Sequence, residues 1–252
     1  MRVLMLILLS WIVSCQSAPI APGVAKGNGK PSIPAASRAA VFTILVREVS
    51  VSRSEGAPWF SQLTDDDALK VKATLKEDLE RVLKFELVPG EKIRAQDLYR
   101  AGRFPLHEPY YINPELDPIV RNEAEQELMM RTSNALGAKY FVVIVVDHST
   151  TKVLLKPASV TSSIQIQIFS PGSGLIYTAT EEESADALPY VRDVPDAEFK
   201  LRYRGIMRST ALDLITKARS KLEKRMQSDI TILPRESPAT PPAPPAPARV
   251  DT

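Results

Sequence analysis

The sequence has one cysteine, Cys15, and two histidines, His107 and His148, in 252 residues. A single cysteine excludes an intramolecular disulfide framework. Neither histidine has a second one near it, so no run of residues has zinc-ligand spacing. Asp147-His148-Ser149 has the residue types of a hydrolytic triad. Adjacent residues on an extended strand point to opposite faces, however, and cannot pass a proton along a chain of hydrogen bonds. Charge of one sign is also missing: 32 Lys and Arg against 30 Asp and Glu give a net +2, which does not call for a nucleic-acid partner. The one basic cluster, Lys217, Arg219, Lys221, Lys224 and Arg225, falls late in a predicted helix, where cations complement the dipole and form a solvated face. The acidic runs Asp65-Asp66-Asp67 and Glu181-Glu182-Glu183 lack the spacing and turn glycine of a calcium loop; the first suits a helix start and the second a solvated turn after a strand. Gly23, Gly27, Gly29 and Lys30 are wrongly spaced for a phosphate loop, and Pro31 stands where a hydroxyl residue belongs.

Long hydrophobic runs are absent too. The run from Val3 to Val13 is stopped by Gln16, Ser17 and Pro19, well short of the ~20 residues that cross a bilayer as a helix. A basic Arg2, this short apolar stretch and small residues after it have the form of an export signal. Ile12-Val13-Ser14-Cys15 resembles the lipobox of bacterial lipoproteins, which implies cleavage after residue 14 and a mature chain beginning at a lipidated Cys15. Thioether attachment would also consume an otherwise lone thiol in an oxidising compartment. A plain secretory signal cut near Ser17 or Ala18, or a buried spare cysteine, are the other readings of this segment. Gln16 after the cysteine, where the enteric pattern reserves Asp for inner-membrane retention, implies an outer-membrane lipoprotein facing the periplasm, with the inner membrane as the alternative.

Residues 15–40 are rich in Ala, Pro, Gly and Ser and show no hydrophobic period, so they form a tether. About 25 such residues span roughly 25–30 Å, enough to hold a domain clear of headgroups. Residues 231–252 are dense in proline and read as an extended, solvated tail. Between them, 41–230 has the size of one domain with a real core.

The expected elements are a strand at Val41 to Arg47; a helix opened by Thr64 and Asp67 with Leu69, Leu75, Leu79, Val82 and Leu83 as its apolar stripe; and a strand at Phe85 to Val88. A short helix follows over Glu91 to Ala101, then a helix from Asp117-Pro118 to Gly137 with Ala124, Leu128, Thr132 and Ala135 inward. Tyr140 to Val146 reads as a central strand buried on both faces. Ile164 to Ile168 alternates, turns through Ser170-Pro171-Gly172-Ser173-Gly174, and returns as Leu175 to Thr180 with its Gln165 and Gln167 face wet. A long helix from Asp196 to Gln227 closes the domain, with Tyr203, Met207, Ala211, Leu214, Ala218, Leu222 and Met226 on one side. The order predicts an α/β (α+β) fold: a mixed sheet of about five strands with a C-terminal hairpin, flanked by about four helices.

Leu136-Gly137-Ala138-Lys139-Tyr140-Phe141-Val142-Val143 resembles the helix-to-strand junction of the TolB amino-terminal, or anticodon-binding-like, type of periplasmic domain, found also in the lipoproteins CsgG, LpoB and PelC. The resemblance spans Val41 to Gln227 and carries no catalytic motif, so it implies a non-catalytic envelope protein that binds or scaffolds an export, secretion or surface-polymer assembly. An activator or adaptor of a peptidoglycan synthase is the alternative within that class. A hydrolase using His107 or His148 is the alternative outside it. The expected partners are the membrane, through the lipid, and an envelope protein or further copies of the chain. No nucleic acid, metal, cofactor or small-molecule substrate is expected. Two stretches depart from the compact pattern, 53–63 with Trp59 and Phe60, and 103–116 with Phe104, Tyr110 and Tyr111. Large loop aromatics anchor interfaces with little entropy loss, or fold back as lids on the core. The long amphipathic strands of a pore-forming relative are lacking.

Overall fold

The computed structural model describes residues 30–48, 63–100, 123–151, 158–188 and 197–235. In chain order these form β1 (Ser32–Pro34), β2 (Arg38–Glu48), α1 (Asp65–Val82), β3 (Glu86–Leu87), α2 (Gly90–Arg94), α3 (Asp97–Arg100), α4 (Glu123–Leu136), β4 (Tyr140–Thr151), β5 (Ala158–Ser170), β6 (Gly174–Leu188), α5 (Ala197–Asp229) and β7 (Thr231–Leu233).

A five-stranded mixed sheet runs in the order β3-β2-β4-β5-β6, with β2 parallel to β3 and β4, and β5 and β6 antiparallel. β4 is central, and Phe141 to Val146 is buried on both faces, as its unbroken apolar run requires. One face, carrying Val142, Ile144, Val146, Ile164, Ile166 and Ile168, packs against Leu75 and Leu79 of α1 and Ile215, Ala218, Leu222 and Met226 of α5. The opposite face carries Phe42, Phe141, Val143 and Phe169 and is capped by Ile93 of α2 and Met129 and Leu136 of α4. Phe42 sits at a register shift between Val41 and Thr43, and its ring meets Phe141 edge-on at 4.7 Å.

The capping box at α1 is present: Thr64 N–H donates to Asp67 Oδ2 at 2.9 Å and Asp67 N–H to Thr64 Oγ1 at 3.2 Å. Gly137 has φ +60°, the left-handed geometry that ends α4 and turns the chain into β4 within three residues.

Several expectations are corrected. The helix expected over 91–101 is two short helices, α2 and α3. Leu69 is 63% exposed, one position off the stripe that α1 buries. α4 buries Met129, Thr132 and Leu136, and Ala135 faces out. Glu181 to Glu183 are not a turn: β6 extends through them to Leu188, since the hairpin ladder continues as far as Ala158 opposite Leu188. Ordered structure also reaches beyond 41–230. β1 and β7 form a separate parallel pair, Ser32 to Thr231 through Pro34 to Leu233, and Ile33 enters the core.

Register fixes the two ends of the sheet. Glu48, Thr151, Ala158 and Leu188 all lie at one pole, while the β5–β6 turn lies at the other, with the start of β2.

Candidate functional site

α1 and α5 are bolted together by charge. Arg208 grips Asp67 through two bonds, Nε to Oδ2 at 2.6 Å and Nη2 to Oδ1 at 2.8 Å. Three turns of α1 further on, Arg219 Nε donates to Asp78 Oδ2 at 2.5 Å, and Arg81 bridges Asp78 and Glu223. Asp67 is only 5% exposed, and the Arg208 guanidinium, helped by Thr64, holds its carboxyl far below the usual carboxylate range. Between the two clamps runs a groove of about 280 Å³ with Val71, Leu75, Leu212 and Ile215 in its walls. The basic cluster lies on a largely solvated face, as expected, and three of its members also pair with acids: Arg219 holds Asp78, Lys221 pairs with Glu183, and Arg225 Nη1 reaches Glu181 Oε1 at 2.9 Å. Lys217 and Lys224 face solvent.

Sheet register sets Glu48, His148, Ser162 and Glu183 in one row on the face beneath α5. These are the residue types of hydrolytic chemistry, but their arrangement opposes it. Ser162 is fully buried and its Oγ donates to the Ala211 carbonyl at 3.4 Å. His148 is 4% exposed and neither ring nitrogen has a hydrogen-bond partner. Burial pushes its pKa down; the charge of Asp147 and the nearby Arg47 carbonyl, which falls short of bonding geometry, push the other way. Asp147 points to the opposite face, where Arg47 grips it through Nε at 2.5 Å and Nη2 at 3.1 Å. Asp147 and His148 thus lie on opposite faces of the sheet, as neighbours on a strand must, and cannot bond to each other. Ser162 was open to the same reasoning, because extending the Ile168, Ile166, Ile164 alternation one step places it on the buried face.

The face that α2 and α4 cap at one pole is left without a helix toward the other among the described residues. There it carries Arg47, Asp147, Ser163, Gln165, Gln167 and Thr180. Beyond it, β6 ends the sheet with no sixth strand among the described residues.

Cys15, Trp59, Phe60, Phe104, Tyr110, Tyr111 and His107 lie outside the described residues. Among those described, no group of three or more metal-ligating side chains comes together, and no helix is long and apolar enough to cross a membrane.

No protein-family profile matches the sequence, and no curated protein matches it. Solved structures do. The LpoB C-terminal domain from Salmonella enterica is 15% identical, with 60% of this chain and 84% of that one covered at a TM-score of 0.33. A hypothetical protein from Chlamydia trachomatis, CT253, is 14% identical over 77% and 99% at 0.39. The lipoprotein GNA1162 from Neisseria meningitidis is 11% identical over 72% and 99% at 0.32.

Proposed function

We propose that this chain is a non-catalytic, lipid-anchored protein of the cell envelope that acts by binding another envelope protein. The carrying observation is the state of its polar groups. Asp67, Asp78 and Asp147 are each gripped by arginine, Ser162 is tied to a helix carbonyl and His148 is buried, so the groups suited to chemistry hold the fold together. The β6 edge, in contrast, is exposed at Glu182, Ser184 and Asp186, whereas the sheet face expected to be wet is half-buried at Gln165 and Gln167, with Gln167 Oε1 buried and without a hydrogen-bond partner. The lipobox-like Ile12-Val13-Ser14-Cys15 and the tether after it support attachment to the outer membrane with the domain in the periplasm.

An adaptor of a partner such as a peptidoglycan synthase fits better than a scaffold assembled edge to edge from copies of the chain. Glu182 and Asp186 flank Ser184 on the exposed edge strand, and pairing two such edges around Ser184 would set carboxylate against carboxylate. The test is in-membrane cross-linking of the full chain followed by mass analysis. A defined heterologous adduct is expected, lost when Cys15→Ala frees the chain from the membrane. Adducts of the chain with itself alone would overturn the adaptor reading.

A further inference from the structure

We propose that the outer edge of β6, from Glu182 to Asp186, receives an extended basic segment of the partner protein as a sixth strand. This names a surface for the partner-binding reading above and rests on it.

β6 is 15 residues long and pairs along one side with β5 from Gly174 opposite Ser170 to Leu188 opposite Ala158. Its other side has no strand among the described residues. Edge strands are ordinarily kept short, covered or broken, because their unpaired N–H and C=O groups are a template for another strand. Here one outward carbonyl is taken: Arg225 Nη1 donates to Thr180 O at 3.2 Å. That contact fixes the parity. In an antiparallel ladder, residues bonded to the neighbour alternate with residues whose N–H and C=O both point away. With Thr180 outward, Glu182, Ser184 and Asp186 are outward as well, and they continue past the Arg225 plug toward the open pole. The plug therefore sets where an incoming strand begins.

Side chains choose the occupant. Glu181 and Glu183 turn toward α5 and are neutralised by Arg225 and Lys221. Glu182, Ser184 and Asp186 turn to the other face and are exposed, and neither acid has a basic partner among the described residues. Two carboxylates four residues apart on one face of a strand match Lys or Arg at the same spacing on the segment beside it. A second copy of β6, paired antiparallel about Ser184, places each Glu182 opposite an Asp186 and is repelled. Main-chain bonds would supply the affinity and the paired charges the selectivity, as in other strand-addition complexes.

The test uses the full chain in nanodiscs and a fluorescent nine-residue peptide of Thr and Val with Lys at its third and seventh positions. Saturable binding is expected, with slowed hydrogen exchange at 182–186. Methylating alternate peptide backbone nitrogens, which keeps every charge, should weaken binding about tenfold or more. The pair Glu182→Lys and Asp186→Lys should weaken it about fivefold. Ser184→Pro removes an outward donor and should act like the methylated peptide; where that variant fails to fold, the methylated peptide alone decides. Equal binding of both peptides, protection elsewhere, no binding, or a doubled mass of the unliganded chain would overturn the proposal. Cross-linking to the envelope partner that survives these substitutions would remove the edge and leave the adaptor reading intact; loss of all heterologous adducts in the unaltered protein would remove that reading instead.

Discussion

Gly137 and His148 are the two positions where a single side chain is most constrained. A Cβ at Gly137 would stand 3.0 Å from Arg38 Nη1 on a residue already at φ +60°. Gly137→Ala is expected to cost about 1–2 kcal/mol, read as a drop in the thermal midpoint. His148, buried without partners, favours its neutral form in the fold. Its pKa is lower folded than unfolded, so the unfolded chain takes up the proton first. The stabilisation is complete above the unfolded value of about 6.5 and is lost as pH falls below it. Urea melts between pH 7.5 and 5 should show stability falling, and His148→Leu should flatten the part of that slope due to this residue. The glycine was legible in the sequence, because a helix that stops three residues before a buried strand needs a left-handed residue. The burial of His148 was not, since it depends on tertiary packing at the end of β4, and nothing local encodes that packing.

Among the elements, α1 is the clearest product of local rules and also shows their limit. Thr64 and Asp67 form the capping box their spacing predicts, but Asp67 also anchors Arg208, 141 residues away. Asp67→Ala removes cap and clamp together and should cost about 2–3 kcal/mol, against about 1 for Thr64→Ala. A double-mutant cycle with Arg208→Ala, followed by chemical denaturation, should return a clear coupling energy for the Asp67 pair. The cycle for the exposed Arg131–Glu127 pair of α4 should return almost none. Acid sensitivity follows with its own sign: Asp67 titrates lower folded than unfolded, so its contribution is whole above about pH 4 and disappears below it. The solvated face of the basic run was legible, but its ion pairs were not. Composition shows that Lys221 and Arg225 are cationic, whereas only the β5–β6 register shows that Glu183 and Glu181 lie beneath them. The same extension of β6 created the long edge, which alternation alone had ended at Thr180.

For the whole molecule, the mixed sheet with a hairpin at its C-terminal side was readable from the alternation of periods 3.6 and 2 along the chain, because each strand's burial pattern matches its place in the sheet. Pairing partners far apart in sequence were not readable, β1 with β7 above all. If the chain acts as an adaptor, light scattering of the mature protein in detergent, corrected for the micelle and the lipid, should give a single-chain mass of about 26 kDa unchanged across concentrations, the 27.8 kDa of the sequence less its signal segment. A larger discrete mass would return the scaffold reading to first place.

The three-residue pairing of β1 with β7 has a mechanical consequence. In the anchored protein proposed above, tension from the membrane enters the fold at Ser32, at the pole opposite the open end of the β6 edge, about 40 Å away along the strands. Load must pass through these few rungs before it reaches the long β2–β4 ladder. They act as a fuse that yields first and lengthens the leash while the sheet stays whole. A force-extension trace taken between the N-terminal side and the sheet should show one small early release ahead of the main unfolding event.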